Sequence, residues 1–197
     1  MKSFDEYLRD AEHAHGHLCA GQVLGIRLAM LGLDKLGIED AHGKDRKRLF
    51  TFVEIDRCAT DAIAVVTGCR LGKRALKFRD WGKMAATFVD ASAGKAIRIA
   101  AKESSKDRAR QMYPDLDKNQ QQMRAYREMP LDDLFTMQWV KVELPEQELP
   151  GFKGVRVICE GCEEGINFRR EVIRDGKTLC RACAGESYYT PTAEPKN

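Results

Sequence analysis

Residues 74–101, RALKFRDWGKMAATFVDASAGKAIRIAA, contain the pattern that decides the fold. Three short runs rich in apolar residues occupy 74–79, 84–90 and 95–101. Glycine-containing breaks at 80–82 and 92–94 separate them, as is typical of turns between neighbouring strands. Three strands in succession favour an α+β fold over one in which strands and helices alternate strictly.

The flanking segments complete the expected core domain. Apolar residues at helical spacing predict amphipathic helices at 4–12 and 22–36. The charged, glycine-poor segment 102–128 predicts one or two further helices, interrupted near Pro114. Strands are expected at 49–56 and 136–144, and a short helix at 62–67 with Thr60 or Asp61 as its N-cap. We therefore predict helices packed on a mixed β-sheet.

A stretch rich in proline and glycine divides the chain. Residues 145–154, PEQELPGFKG, contain two prolines and two glycines, a composition typical of a linker. The expected organisation is a core domain at 1–146, a linker at 147–154, a zinc finger at 155–190 and a tail at 191–197.

Length and composition exclude several classes of protein. Of 197 residues, 43% are hydrophobic and 32% charged, so the chain can bury a core. The longest mostly apolar stretch, 23–33, is interrupted by Arg27 and is shorter than the ~20 residues that cross a bilayer. A formal net charge of +3 requires neither nucleic acid nor an anionic membrane as partner. Because the N-terminal sequence shows no signal-peptide pattern, we expect a cytoplasmic protein with reduced cysteines.

Four cysteines near the C-terminus have the spacing of a zinc site. Cys159-x2-Cys162 is followed, after 17 residues, by Cys180-x2-Cys183. Two pairs of this kind complete a tetrahedral sulfur shell around one ion. A segment of about 35 residues buries too little apolar surface to fold alone, and metal binding supplies on the order of 10 kcal/mol. We predict structural zinc; the alternatives are iron, as in rubredoxin-like sites, and four unrelated buried cysteines.

The segment between these cysteine pairs predicts a β-hairpin. Residues 171–179 contain an Asp175-Gly176 turn that returns the second pair to the first. Basic side chains near this hairpin suit phosphates, and they are Arg169, Arg170, Arg174 and Lys177. Acidic neighbours repel a polyanion, and they are Glu160, Glu163, Glu164 and Glu171. This balance favours a structural or protein-docking finger over a nucleic-acid reader.

An N-terminal cluster is a candidate second metal site. His13, His15, His17 and Cys19 occupy alternate positions, so all four project to one side if the segment is extended. Imidazole and thiolate are the usual ligands of late transition metals. We predict a functional role for His17 and Cys19 in particular. Alternatively, His13 and His15 cap the first helix and face water.

Two further cysteines lie in the core segment. Cys58 comes directly before a helix start, where unpaired N–H groups and the helix dipole favour a thiolate, so we expect a lowered pKa. A buried, inert cysteine is the alternative. Cys69 lies in the loop 68–73, which is one residue shorter than a nucleotide-binding loop and is followed by Arg74 where Ser or Thr holds magnesium. We therefore reject a nucleotide site.

Five short motifs carry a resemblance to a known family. They are HGHLCAG at 15–21, GIR at 25–27, CATDAI at 58–63, TGCRLGK at 67–73 and DWGK at 80–83. In this order the chain resembles the family of the formylmethanofuran dehydrogenase E-subunit over about residues 10–145. The four-cysteine finger resembles the treble-clef-type appendage of some members. Ala20 stands where the family pattern has proline, a departure that removes no ligand.

The resemblance implies a glyceraldehyde-phosphate-dehydrogenase-like core domain, paired as a homodimer, with one cleft. The residues implied to gather there are His17, Cys19, Cys58, Asp61, Thr67, Cys69, Lys73 and Asp80. Of these, Cys58, His17 and Asp61 are the expected reactive groups, and the ligand-binding set is Thr67, Cys69, Lys73 and Asp80. A second metal ion, besides the structural zinc, is expected on His17, Cys19 and Cys58.

Three functions stay open on the sequence, and whether any reaction is catalysed stays open with them. The preferred one is a metal-binding accessory protein of molybdenum or tungsten enzyme metabolism, which binds a metal or a small anionic ligand in the cleft. The family name implies a molybdenum or tungsten oxidoreductase as partner. The alternatives are a thiol-dependent enzyme with Cys58 as nucleophile and His17 as base, and a zinc-finger regulator that binds nucleic acid.

Overall fold

The computed structural model describes residues 1–192 and contains two compact units. The first unit is Met1–Glu143 and the second begins at Leu144. Most of the predicted tail, 193–197, lies outside the described residues. No helix in the described part of the chain is long and apolar enough to span a membrane.

The first unit has the predicted α+β architecture. Its helices are α1 (Phe4–His15), α2 (Ala20–Leu36), α3 (Cys58–Thr67), α4 (Ser104–Met112), α5 (Lys118–Glu128) and α6 (Leu131–Leu134). Its strands are β1 (Leu49–Val53), β2 (Leu76–Phe78), β3 (Ala85–Asp90), β4 (Lys95–Ala101) and β5 (Phe135–Val140). They form one sheet in the order β2-β1-β3-β4-β5. Because β1 and β2 are parallel and the other pairs antiparallel, the sheet is mixed, as predicted.

Helix α2 is the centre of the core. It packs against β3, β4, α3 and α5, and most of its side chains are buried. Aliphatic residues of α2 and of the helix-facing side of the sheet form one apolar cluster, which includes Ile26, Leu33, Phe88, Ile97 and Ile99. A helix that is apolar on nearly all sides belongs in such a buried position.

The crossing of α2 and α3 depends on Gly25. A Cβ at this position would lie 2.6 Å from the backbone oxygen of Ala59. Only glycine permits this approach without a shift of backbone. The close crossing brings the first residues of α3 against the first turn of α2, where the candidate site lies.

Three predictions about the core elements were wrong. The short helix expected at 62–67 begins four residues earlier, at Cys58, and its N-cap is Arg57 without a side-chain hydrogen bond. The Thr60 hydroxyl cannot cap it, because it donates to the Ile55 carbonyl at 2.5 Å. The last strand ends at Val140 and not at residue 144, and the four-residue helix α6 was not predicted.

The second unit contains two small hairpins. They are formed by β6 (Val157–Ile158) with β7 (Gly165–Ile166), and by β8 (Val172–Arg174) with β9 (Lys177–Leu179). The β8–β9 hairpin is the one that the sequence predicts. Asp175 and Gly176 both have positive φ, 50° and 76°, as a tight two-residue turn requires.

Candidate metal centres

The four C-terminal cysteines form one cluster. The sulfur atoms of Cys159, Cys162, Cys180 and Cys183 all lie within 4.8 Å of one another. The β6–β7 hairpin places the first pair, and β9 leads into the second. Four convergent sulfurs are the donor set of a structural zinc ion, so the arrangement fits the predicted metal.

The protonation of these thiols also suits a cation. The backbone N–H groups of Cys180 and Gly161 donate to the Cys159 sulfur at 3.2 and 3.4 Å, and this donation lowers the pKa of Cys159 to about 6. The neighbouring thiols raise the pKa of Cys183 to about 12. Several thiolates therefore cannot coexist here unless a positive ion balances them, which zinc does when bound.

A second cluster lies where α1 ends and α2 begins. The ligand atoms of His15, His17 and Cys19 lie within 4.8 Å of one another. His15 is the last residue of α1, Gly16 reverses the chain with φ 89°, and Cys19 is the N-cap of α2. Two imidazoles and one thiol in this turn form a donor set that suits a thiophilic transition metal.

The route by which this cluster forms differs from the one the sequence suggested. The segment is not extended, because residues 4–15 are helical, and His13 is exposed on α1 outside the cluster. His15, which the sequence-based alternative placed in water, is instead half-buried and part of the cluster. The glycine directly after His15 is the signal that could have found this, since it ends the helix and turns His17 back toward His15.

Asp61 fixes the orientation of His15. Its Oδ2 lies 2.8 Å from Nδ1 of His15. A histidine that donates Nδ1–H to a carboxylate keeps the lone pair of Nε2 free for a metal, and carboxylates of this kind are common behind metal-binding histidines. The rings of His15 and His17 are 4.8 Å apart. Asp61 therefore has a positioning place in the site.

Gln22 holds Cys19 in place from within the core. This fully buried side chain accepts the backbone N–H of Cys19 on Oε1 at 3.1 Å. Its Nε2 donates to the carbonyl of Ala11 in α1 at 3.0 Å. One amide thus ties the end of α1 to the start of α2.

Cys58 lies beside Cys19, but its acidity is opposite to the expectation. A Cβ added to Gly21 would meet the Cβ of Cys58 at 3.4 Å and the sulfur of Cys19 at 3.7 Å. Burial, followed by hydrogen bonding to the Cys19 thiol, raises the pKa of Cys58. The prediction of a lowered pKa was wrong because these two effects exceed that of the helix N-terminus.

The structure does not bring the remaining predicted residues to Cys58. Thr67 is the last residue of α3, about 14 Å along the helix axis from Cys58. Cys69 is buried in the core, where it accepts the Thr51 hydroxyl at 3.5 Å and where burial raises its pKa. Lys73 and Asp80 are exposed and line neither cavity described below. Ligand binding by these four residues stays a prediction.

Two cavities border Cys58. The smaller, of about 400 Å³, is lined by His15, Asp56, Arg57, Cys58, Thr60 and Asp61. The larger, of about 780 Å³, is bordered by both Cys19 and Cys58 and extends toward α4 and α5. Sequence reasoning missed the larger cavity, because residues from five separate segments form it.

Comparison with known proteins supports the same division of the chain. Residues 14–138 match the family described as "FmdE, Molybdenum formylmethanofuran dehydrogenase operon". Residues 154–189 match the prokaryotic dksA/traR C4-type zinc finger. The first match contains the second histidine–cysteine cluster and the second match contains all four C-terminal cysteines.

Two individual proteins are similar to this chain. A protein of Archaeoglobus fulgidus described as a probable S-adenosyl-L-methionine-binding protein is 31% identical over 91% of the chain. The chain spans about half of that relative, 52% of its length. The crystal structure of an FmdE-like protein of tungsten formylmethanofuran dehydrogenase type from Syntrophus aciditrophicus has a TM-score of 0.65, with 21% identity and 96% of each chain covered. That structure shares the fold.

Proposed function

The chain belongs to the FmdE family, and on that premise we propose that it is a metal-binding accessory protein with two metal sites. One site is the four-cysteine cluster, which fits structural zinc. The other holds a thiophilic transition metal ion on His15, His17 and Cys19 in the core unit. The observation that supports the second site is the convergence of these three ligand atoms within 4.8 Å, with Asp61 behind His15.

The geometry of the core cluster suits such an ion. Ligand atoms around a tetrahedral ion with bonds of ~2.0–2.3 Å lie ~3.5 Å apart, so small side-chain rotations close the present cluster onto a metal. Three protein ligands leave a fourth position for water or a small ligand, as in sites that do chemistry or transfer an ion. The Cys58 thiol beside Cys19 is the nearest protein group for that position.

The raised pKa of Cys58 favours this function over a thiol enzyme. A thiol nucleophile needs a large thiolate fraction near neutral pH, and burial beside Cys19 reduces that fraction. The proposed roles of Cys58, His17 and Asp61 are therefore in metal binding and positioning, with Cys58 as a metal-adjacent ligand.

The wider setting is proposed from the family. Its description refers to a molybdenum formylmethanofuran dehydrogenase operon, so we propose that the bound ion or ligand serves a molybdenum or tungsten oxidoreductase. We further propose a homodimer that works in the cytoplasm, where its seven cysteines stay reduced. Sedimentation velocity on the full chain tests the dimer, and a single species with the mass of one chain would contradict it.

Metal stoichiometry tests the second site. Elemental analysis of the full chain purified with cobalt or zinc should give two ions per chain, and His15→Ala/His17→Ala should give one. His13→Ala is the matched control, because His13 is an exposed neighbour on α1 outside the cluster. The proposal fails if the wild-type chain holds one ion, or if the double variant holds as many as the wild type.

A second candidate function is binding of S-adenosyl-L-methionine, the ligand in the archaeal relative's description. The cavity of about 780 Å³ beside Cys19 and Cys58 favours this candidate by its volume. Its lining is less favourable, since four cationic and two acidic side chains meet a ligand of net positive charge. Equilibrium dialysis with the radiolabelled compound tests it; retention at the free concentration alone excludes it.

A further inference from the structure

The larger cavity has the dimensions of a small-molecule site and is separate from the histidines. Its volume is about 780 Å³, within the range of 300–1,000 Å³ typical of ligand pockets. It borders the thiols of Cys19 and Cys58, whereas His15 and His17 do not line it. The cavity can therefore be occupied whether or not the core cluster holds a metal.

The inner wall of this cavity is mostly apolar. Leu24 of α2 and Tyr126 of α5 are both buried, and Ile55 and Met84 are half-buried. The Tyr126 hydroxyl is bonded to Ser105, so the tyrosine ring contributes an apolar surface. Such a wall suits an aliphatic or aromatic body.

The charged side chains of the lining are predominantly basic. Lys106 is paired with Glu103 at 2.5 Å, and the Asp117 carboxylate accepts the backbone N–H groups of Asn119 and Gln120. Both acidic groups of the lining are thus already engaged.

Three cations of the lining stay without a carboxylate partner. Within residues 1–192 neither Arg57, Lys102 nor Lys118 forms an ion pair, although the Lys102 ammonium donates to the Asp132 carbonyl at 2.5 Å. The first turns of α2, α3, α4 and α5 also line the cavity, and their partial positive charges have the same sign.

We propose that this cavity binds an amphiphilic organic anion. The apolar or aromatic body of the ligand packs against Leu24, Met84 and Tyr126. Its carboxylate, sulfonate or phosphate group meets Arg57 and Lys118 at the rim, where charge-assisted hydrogen bonds form. This inference stands on the cavity and its charges and does not require the metal in the proposed core site.

A pair of dyes tests the two halves of the proposal separately. 8-Anilino-1-naphthalenesulfonate has an aromatic body with one sulfonate, and N-phenyl-1-naphthylamine has the same body without the charge. Fluorescence titration of the full chain should show one saturable sulfonate-dye site that is tighter than the site for the neutral dye. Raising the salt concentration from 50 to about 500 mM should weaken binding of the sulfonate dye only.

Two exposed cations provide the variants. Arg57→Gln and Lys118→Gln should each weaken sulfonate-dye binding about threefold, and together about tenfold, with no change for the neutral dye. Lys95→Gln is the matched control, because Lys95 is an exposed cation at the start of β4 outside the cavity. Since the salt series uses the wild-type chain, it tests the same charge dependence without any substitution.

Three outcomes overturn the proposal. They are the absence of a saturable site, equal affinity for both dyes, and sulfonate-dye binding that Arg57→Gln/Lys118→Gln leaves unchanged. The last would place the dye elsewhere, for example in the apolar groove beside Phe4 and Met30. His17→Ala should leave dye binding intact, so failure of the core metal site and failure of this cavity give different results.

Discussion

At the scale of single residues, the chemistry of this protein is concentrated at one chain reversal. His15, His17 and Cys19 become neighbours because Gly16 adopts a left-handed conformation at the end of α1. Residue types alone indicated His17 and Cys19 as ligands. They left His15 ambiguous, because its neighbour across the site, Asp61, is 46 positions away in sequence.

Asp61→Asn should weaken core metal binding without removing a ligand. The amide is a poorer acceptor for the Nδ1–H of His15, so the imidazole is less firmly oriented and less basic. We expect a 10- to 100-fold loss of affinity at the core site, measured by competition with a chromophoric chelator, and unchanged finger zinc. Asp56→Asn is the control, because Asp56 lines the same small cavity without a bond to His15. Equal effects of the two substitutions would contradict the role of Asp61.

Gln22→Met should reduce both stability and core metal affinity. It keeps the side-chain volume but removes the partners of the Cys19 N–H and of the Ala11 carbonyl. Unsatisfied buried groups cost about 1–3 kcal/mol each, so denaturant unfolding should show a loss in that range. Gln120→Met, at an exposed position of α5, should leave both quantities unchanged. A stable Gln22→Met variant with normal metal affinity would refute the positioning role.

At the scale of elements, the placement of α3 decides the site. The sequence predicts most helices and strands within a few residues, because apolar periodicity and glycine-containing turns are local signals. The start of α3 was misplaced because Thr60 and Asp61 look like caps, yet Thr60 bonds to Ile55 and Asp61 to His15. Both side chains were engaged by tertiary partners that local rules do not include.

Gly25→Ala should loosen the α2–α3 crossing and, with it, the core metal site. The added Cβ would approach the backbone of Ala59 to 2.6 Å, so α3 must move. We expect a loss of about 1–3 kcal/mol in the free energy of unfolding and weaker core metal binding. Gly72→Ala is the control, since a Cβ there meets nothing within 4 Å. Stabilisation by Gly25→Ala, as helix propensity alone predicts, would show that the close crossing is not required.

At the scale of the whole molecule, the two units differ in what stabilises them. The first unit has an apolar core built on α2, β3 and β4. Among the described residues of the second unit, the buried apolar or thiol side chains are Cys159 and Ile166. So small a core makes folding of the second unit dependent on its metal.

Removal of zinc should therefore unfold the second unit selectively. Hydrogen exchange after treatment of the full chain with a strong chelator should show loss of protection at 157–179, while amides of α2 and β3 stay protected. Cys162→Ser should have the same effect without a chelator. Simultaneous loss of protection in β3 would show that the two units unfold as one.

Local patterns in the sequence were enough to establish the fold class, the finger and the residue types of the core site, because apolar periodicity, turn residues and cysteine spacing act over short stretches of chain. It took the packed structure to show that His15 joins the cluster, that Cys58 is less acidic than a helix start suggests, and that Thr67 and Cys69 lie away from Cys58. Those outcomes depend on burial and on partners distant in sequence. Such effects arise when α1, α2 and α3 pack together, and no local pattern encodes them.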